Sequence, residues 1–387
     1  MVVKNSDGFP SYLLQRSNAE RYQYFADYTC AHTVIKNGFE SLLYTIQFPA
    51  GKQLIVIIGP PRVGKSFLFG WIKDELQSLW VKQEHQDPGR IPVIGLEVPS
   101  KDNSRRIVND VYIRILQKLE EPLIDKKVVY GDVAVYRNKG NEIVVEAASG
   151  ARYRRAVESA LQQRQPTMLF DEAQHFLDIA GLSIEEVMDW IKSLANMTKV
   201  IICLFGTYEL LQFLDLSDQL MFRSKIIHLY RYGSSEEHVC LFNSTVDAFQ
   251  RHMPLMKEPN LLRYSEFLHE RTVGCVGNLY HWLLAAYDLA VKDGGKTLTL
   301  KHLQATVPLT AIRAKKANNN ISKDEATFAA EIGENDEGVI SSMHNEDSSL
   351  ESSQSEKQER RATGKRRNRV GERNPERDKT GERRKVA

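Results

Sequence analysis

Hydrophobic and polar positions along this chain follow two alternating periods, and the switches between them outline its elements. Up to about residue 50, Tyr24, Tyr28, Ile35, Phe39, Leu42 and Leu43 recur at roughly helical spacing, and Pro49-Ala50-Gly51 ends the pattern. Leu54–Ile58, LIVII, is an unbroken apolar run of strand length, as expected for a strand covered on both faces. A Gly/Pro turn follows, and residues 65–82 then form an amphipathic helical pattern. Residues 92–97, 167–170, 200–205 and 225–229 are further strand candidates, separated by helical patterns at 104–119, 153–163 and 183–196. Strands alternating with helices predict βαβ units and a mostly parallel sheet. Between the second and third strands, VAVYRNKGNEIVVEA alternates around Asn138-Lys139-Gly140-Asn141, the signal of an inserted hairpin. Beyond residue 233 the pattern is all helical: 236–251, 260–271, 276–291 and 300–315, with turns at Pro254, Pro259, Gly274 and Gly294-Gly295.

This gives an organisation of a helical segment 1–50, an α/β domain 51–232 with a hairpin near 128–147, a small helical domain 233–316, and a tail 317–387. The tail is segregated by charge. Residues 322–356 hold ten acidic groups and one lysine, net −9, and residues 357–387 hold thirteen basic and five acidic groups, net +8. Both stretches are poor in large apolar groups and cannot offset the entropy of ordering, which predicts disorder. The whole chain carries +2, so residues 1–321 carry +3 once −9 and +8 are removed. That mild positive charge permits nucleic-acid binding.

Composition narrows the class. With 387 residues and 42% hydrophobic content the chain can bury one or two sizeable cores. No apolar run reaches the about 18 residues of a membrane span, and the polar start lacks a secretory h-region. Cys30, Cys203, Cys240 and Cys275 lie far apart with no C-x-x-C pair, the usage of reduced thiols in a cytosolic compartment. His238 and His252 flank Cys240, at a spacing that fits no familiar zinc site.

The chemistry is concentrated in two motifs. Gly59-Pro60-Pro61-Arg62-Val63-Gly64-Lys65-Ser66, followed by Phe67, matches the phosphate-binding pattern G-x-x-x-x-G-K-[ST] and falls between an apolar strand and a helix. Its glycines let the backbone curl so that N–H groups and a helix N-terminus face phosphate oxygens. Lys65 would reach the β- and γ-phosphates, and Ser66 would ligate Mg²⁺. The second motif is Met168-Leu169-Phe170-Asp171-Glu172, an apolar strand ending in two carboxylates. Asp171 belongs near the metal, and Glu172 can polarise the attacking water. Thr207, at the end of the following strand, is a candidate contact to the γ-phosphate or lytic water; capping the next helix is its alternative role.

On these residues the chain resembles the TnsC/TniB family of AAA+ transposition regulators. The likeness covers about residues 15–312: the segment AERYQYFADYTCAHTVIKNGFESLLYTI, the phosphate loop, LEVPS, MLFDEAQHFL, LFGTYELL, LMFRSKIIHLYRY and TVGCVGNLYHWLLAAYDLAV. The resemblance implies an α/β AAA+ P-loop NTPase of the initiator type, with a five-stranded parallel sheet and a helical lid. It implies ATP and Mg²⁺ as ligands and ATP-driven helical or ring oligomers on duplex DNA without sequence preference. It also implies a DDE transposase and a TniQ/TnsD-like target selector as partners, no membrane association, and a bacterial, nucleoid-associated cytoplasmic location. Arg223, before the fifth strand, stands where such proteins place an arginine that completes a neighbour's site, with Lys225 and Arg231 as competitors. Where the lid often offers a nucleotide-sensing arginine, this chain has Asn278 and His281.

For DNA the candidates are Lys101, Arg105 and Arg106 after the second strand and Arg137 and Lys139 on the hairpin, flanked by Lys126 and Lys127. Phosphate contacts need only suitably spaced positive charge, so a solvated charged face is the alternative for each cluster. Two rivals to the regulator reading remain: a replication-initiator or helicase-loader ATPase, and a scaffold that holds ATP without hydrolysing it. An intact Glu172 argues against the scaffold.

Overall fold

The five apolar runs form one parallel sheet. In the computed structural model, which describes residues 8–82, 87–100, 107–126, 133–137, 143–147, 149–178, 183–214, 224–308 and 313–332, the strands are β1 Leu54–Ile58, β2 Val93–Glu97, β5 Thr167–Asp171, β6 Ile202–Gly206 and β7 Ser224–His228. Their order is β2-β5-β6-β1-β7. The expected hairpin is present as β3 Val133–Arg137 paired antiparallel with β4 Ile143–Ala147.

Strand β1 shows why a continuous apolar run is required. Leu54, Val56 and Ile58 enter one core and Ile55 and Ile57 the other, since successive side chains of a strand face opposite ways. The first core is closed by α4 Ile107–Lys118, α5 Ser149–Arg164 and α6 Ile184–Thr198. The second is closed by α2 Thr33–Gln47 and α3 Lys65–Val81 together with the helical domain. Ahead of them, α1 Asn18–Ala26 starts at a capping box of Ser17 and Glu20, as α6 does at Ser183 and Glu186. A short α7, Leu211–Leu214, follows β6.

The helical domain consists of α8 Glu236–Arg251, α9 Ser265–Thr272, α10 Val276–Lys292 and α11 Leu300–Ala305. Its centre is Trp282, 1% exposed, whose indole N–H donates to the Leu303 carbonyl at 3.0 Å.

Two expectations are corrected. The helix expected over 300–315 stops at Ala305, where the Thr306 hydroxyl folds back to the His302 carbonyl at 2.8 Å and Pro308 follows. The tail expected to be disordered from 317 instead begins as a helix, α12 Ala314–Ile332. Residues 333–387 lie outside those described. Among the described residues no helix is long and apolar enough to cross a membrane.

Candidate nucleotide site

The loop after β1 is built from backbone that ordinary residues avoid. Arg62 has φ 63° and Gly64 φ 116°, and a Cβ at 64 would lie 2.8 Å from Cδ1 of Ile35. Two left-handed residues so close together fold the chain into a concavity of N–H groups before α3 begins at Lys65. The Lys65 ammonium donates to the Gly59 and Pro60 carbonyls, both at 2.9 Å. Burial pushes its pKa down to about 8, opposed by the carboxylates of Glu172 and Asp171. Pro60 and Pro61 have no N–H, so the donors available to a ligand begin at Arg62. The Phe67 ring packs 5.8 Å from Trp71, which leaves its main chain as its share in the loop.

Sheet order brings the second motif to this loop, because β6 lies between β5 and β1. Ser66 donates its hydroxyl to the Asp171 carboxylate, the oxygen pair expected for a divalent cation. Burial raises the Asp171 pKa, while the bonds from Ser66 and from the Glu172 N–H (3.0 Å) pull it down. Glu172 has φ 53°, a left-handed conformation rare for a side chain of its size and the kind of strain that collects at functional sites.

Gln174, which sequence reasoning did not single out, links the carboxylate to the neighbouring strand. Its Nε2 donates to Glu172, and its Oε1 accepts the Thr207 N–H at 3.3 Å. The Thr207 hydroxyl is buried without a partner and makes no cap bond to the following 3-10 turn, so the capping alternative is not realised.

The loop is roofed by the helical domain. The Gly277 N–H donates to the Arg62 carbonyl at 2.9 Å, and a Cβ at 277 would lie 2.5 Å from that oxygen, so only glycine allows this approach. The Tyr232 N–H donates to the Gly274 carbonyl at 3.1 Å. Asn278 turns its amide to the Thr272 carbonyl at 3.2 Å, a local bond. Burial and the charge of Arg62 both lower the His281 pKa.

His32 is a second residue that sequence reasoning did not single out. Buried, it bonds through Nδ1 to the Tyr232 hydroxyl at 2.9 Å and also to the Val63 backbone, and burial lowers its pKa to about 4. It stitches the N-terminal segment to the loop, and no local motif announces it.

Not every predicted residue is brought here. Arg223, Lys101, Arg105, Arg106 and Lys139 lie outside the described residues, as does the side chain of Arg137. Lys225 sits within β7 opposite Ile55, and Arg231 is engaged by α12.

Residues 49–214 match the family model of the AAA domain. The fold is accordingly the AAA+ P-loop fold with a five-stranded parallel sheet. Among curated proteins nothing matches. The chain is similar in structure to Aeropyrum pernix ORC2 in its ADP form, at 13% identity and TM-score 0.49, covering 74% of this chain and 71% of that one. Drosophila ORC bound to DNA gives 14% identity, TM-score 0.48 and coverage of 86% and 82%. Domain III of Thermotoga maritima DnaA gives 12%, 0.41, 75% and 98%.

Proposed function

We propose that this chain binds Mg-ATP in the loop Gly59–Ser66, hydrolyses it slowly as a switch, and in its ATP state assembles on duplex DNA as a transposition regulator of the TnsC/TniB kind. The nucleotide half is carried by one observation: Lys65, Ser66, Asp171, Glu172 and the unpartnered Thr207 hydroxyl converge where β1, β5 and β6 end. These residues fit a triphosphate. The left-handed pair Arg62 and Gly64 supplies converging N–H groups, and Lys65 supplies a buried cation. Ser66 and Asp171 would hold Mg²⁺, whose charge offsets that of the phosphates.

The division of labour follows from the side chains. Lys65 leaves its two loop carbonyls for phosphate oxygens, which are stronger acceptors. Glu172 accepts the proton of the attacking water, and Gln174 holds that carboxylate in direction. Thr207 donates its hydroxyl to the γ-phosphate or the water. Arg223 of a second copy stabilises charge on the transferring group.

The regulator half is supported by the resemblance over residues 15–312 and the net +3 of residues 1–321. A DDE transposase and a TniQ/TnsD-like selector are its partners, in a bacterial, nucleoid-associated setting. Titration of labelled duplexes tests it. Binding requires ATP, ignores sequence and weakens steeply with salt. Replacing Lys101, Arg105 and Arg106 together by Ala flattens the salt slope by about 0.9 unit for each DNA phosphate that the protein no longer neutralises. Arg137 and Lys139, replaced separately, show which cluster faces DNA. No affinity for any duplex at low salt with ATP overturns the regulator half.

A further inference from the structure

Helix α12 plays no part in the nucleotide reading, yet it is fastened beside the candidate site. Asn318, Ser322, Glu325 and Phe328 recur every three or four residues and so share one face. Three of them take the guanidinium of Arg231, which follows β7. Its Nε and Nη2 donate to the two Glu325 oxygens at 2.9 Å each, Nη2 also to Ser322 at 2.9 Å, and Nη1 to Asn318 at 2.5 Å. A longer bond of 3.5 Å runs from Nη1 to the Val273 carbonyl. A guanidinium has five N–H donors, and all five are used. The side chain is 12% exposed.

The fourth residue of that face anchors the helix to the sheet. The Phe328 ring lies 4.3 Å from His228 and 6.2 Å from Tyr208, and those two share a 2.8 Å hydrogen bond. Tyr208 follows Thr207 directly. Val273 comes just before Gly274 and Cys275, where α10 opens against the phosphate loop. Helix α12 therefore touches both walls of the cleft, the end of β6 and the entry to the helical domain. The Cys275 thiol, at the opening of α10, lies within electrostatic reach of Arg231, Glu325 and Lys65. Apart from Phe328, this face is held by polar bonds to one side chain, so a ligand that takes that side chain loosens most of the face at once.

We infer that α12 is a latch across the phosphate side of the cleft, and that Arg231 is the group it withholds. While Glu325, Ser322, Asn318 and the Val273 carbonyl together saturate the guanidinium, Arg231 has no donor left for an anion. Release of α12 exposes it to the terminal phosphate of a nucleotide, either the chain's own or that of a second copy. A triphosphate whose oxygens compete with Glu325 for the Arg231 donors favours release. The inference rests on the proposal that the cleft takes ATP.

The test uses the full chain, with hydrogen exchange of residues 314–332 and titration with a slowly hydrolysed ATP analogue. Without nucleotide, Glu325→Gln and Phe328→Ala each speed exchange of 314–332 on the order of tenfold, the first by weakening a charged hydrogen bond and the second by removing a partly buried ring. The analogue has the same effect on the wild type, and both variants bind it on the order of tenfold more tightly. Unchanged exchange in both variants, or binding no tighter than wild type, overturns the latch. If the wild type does not bind the analogue, the nucleotide reading fails; if it binds without moving α12, the latch alone fails. Arg231→Lys, which keeps a cation but loses the fork, slows turnover; wild-type turnover overturns the role given to Arg231. Rescue on mixing Arg231→Lys with Lys65→Ala chains assigns the phosphate to a second copy, and no rescue assigns it to the same chain.

Discussion

Thr207 meets Gln174 through its main chain, donating its N–H to the side-chain oxygen at 3.3 Å, while its own hydroxyl stays buried with no partner. A buried donor left unmade costs about 1–3 kcal/mol, a cost that makes sense where a ligand later accepts the bond. Thr207→Val keeps the shape and removes the hydroxyl. The variant is expected to be more stable without nucleotide by about 1 kcal/mol and to hydrolyse ATP about tenfold more slowly, with affinity little changed. Thermal melting and phosphate release check both halves, and unaltered turnover removes Thr207 from the reaction.

Glu172→Gln preserves size and the neighbour Gln174 but cannot accept a proton. Hydrolysis should fall roughly a hundred- to ten-thousandfold while ATP still binds, and the oligomer should linger on labelled duplex. Normal phosphate release by this variant would show that another group activates the water.

Lys65 carries a pH signature. Burial lowers its pKa from the usual 10.5 to about 8. Between those values the folded chain has lost a proton that the unfolded chain keeps, so stability without nucleotide rises with pH across that window. Bound phosphates favour the ammonium form, so binding takes up a proton there. ATP affinity should therefore fall as pH rises above about 8, by up to tenfold per unit. Titrations on either side of that pH check it. Lys65→Ala should flatten the profile and lower affinity roughly a hundredfold, the loss of about 3 kcal/mol. An affinity that does not move with the mutation refutes the phosphate-site assignment.

Where the chain is cut distinguishes the tail from α12. Truncation after Ile332 removes charge-segregated sequence with little apolar content, and cooperative melting should persist. Truncation after Ile321 also removes Ser322, Glu325 and Phe328, which uncovers His228 and Tyr208 and leaves Arg231 without its carboxylate. The melting temperature should then drop by a few degrees, about 1–2 kcal/mol. Equal melting of the two truncations would mean that α12 adds nothing to the folded state.

Local pattern determined the elements and the candidate residues at their ends. Leu54–Ile58 shows its burial in its letters because both of its faces are covered, and the spacing from Gly59 to Ser66 is set by the turn that a phosphate-binding loop needs. Asp171 and Glu172 were legible for the same reason, as polar residues that end an apolar strand. What only the tertiary structure decided are the relationships between distant segments. Strand order sets β6 beside β1 and so brings Thr207 level with the start of the loop, and no letter of β6 states which strand it will pair with. Gly277 reads as a helix residue until the Arg62 carbonyl is found where its side chain would be. His32 and Gln174 are ordinary polar residues until folding supplies Tyr232 and Thr207 as partners. Helix α12 was hidden by its own composition: it docks through one aromatic ring and bonds to one arginine, and its apolar positions are few, mostly small and set among charged and amide residues. Sequence pattern records burial, which is periodic along the chain; single polar contacts across 94 residues, as between Arg231 and Glu325, leave no period to read.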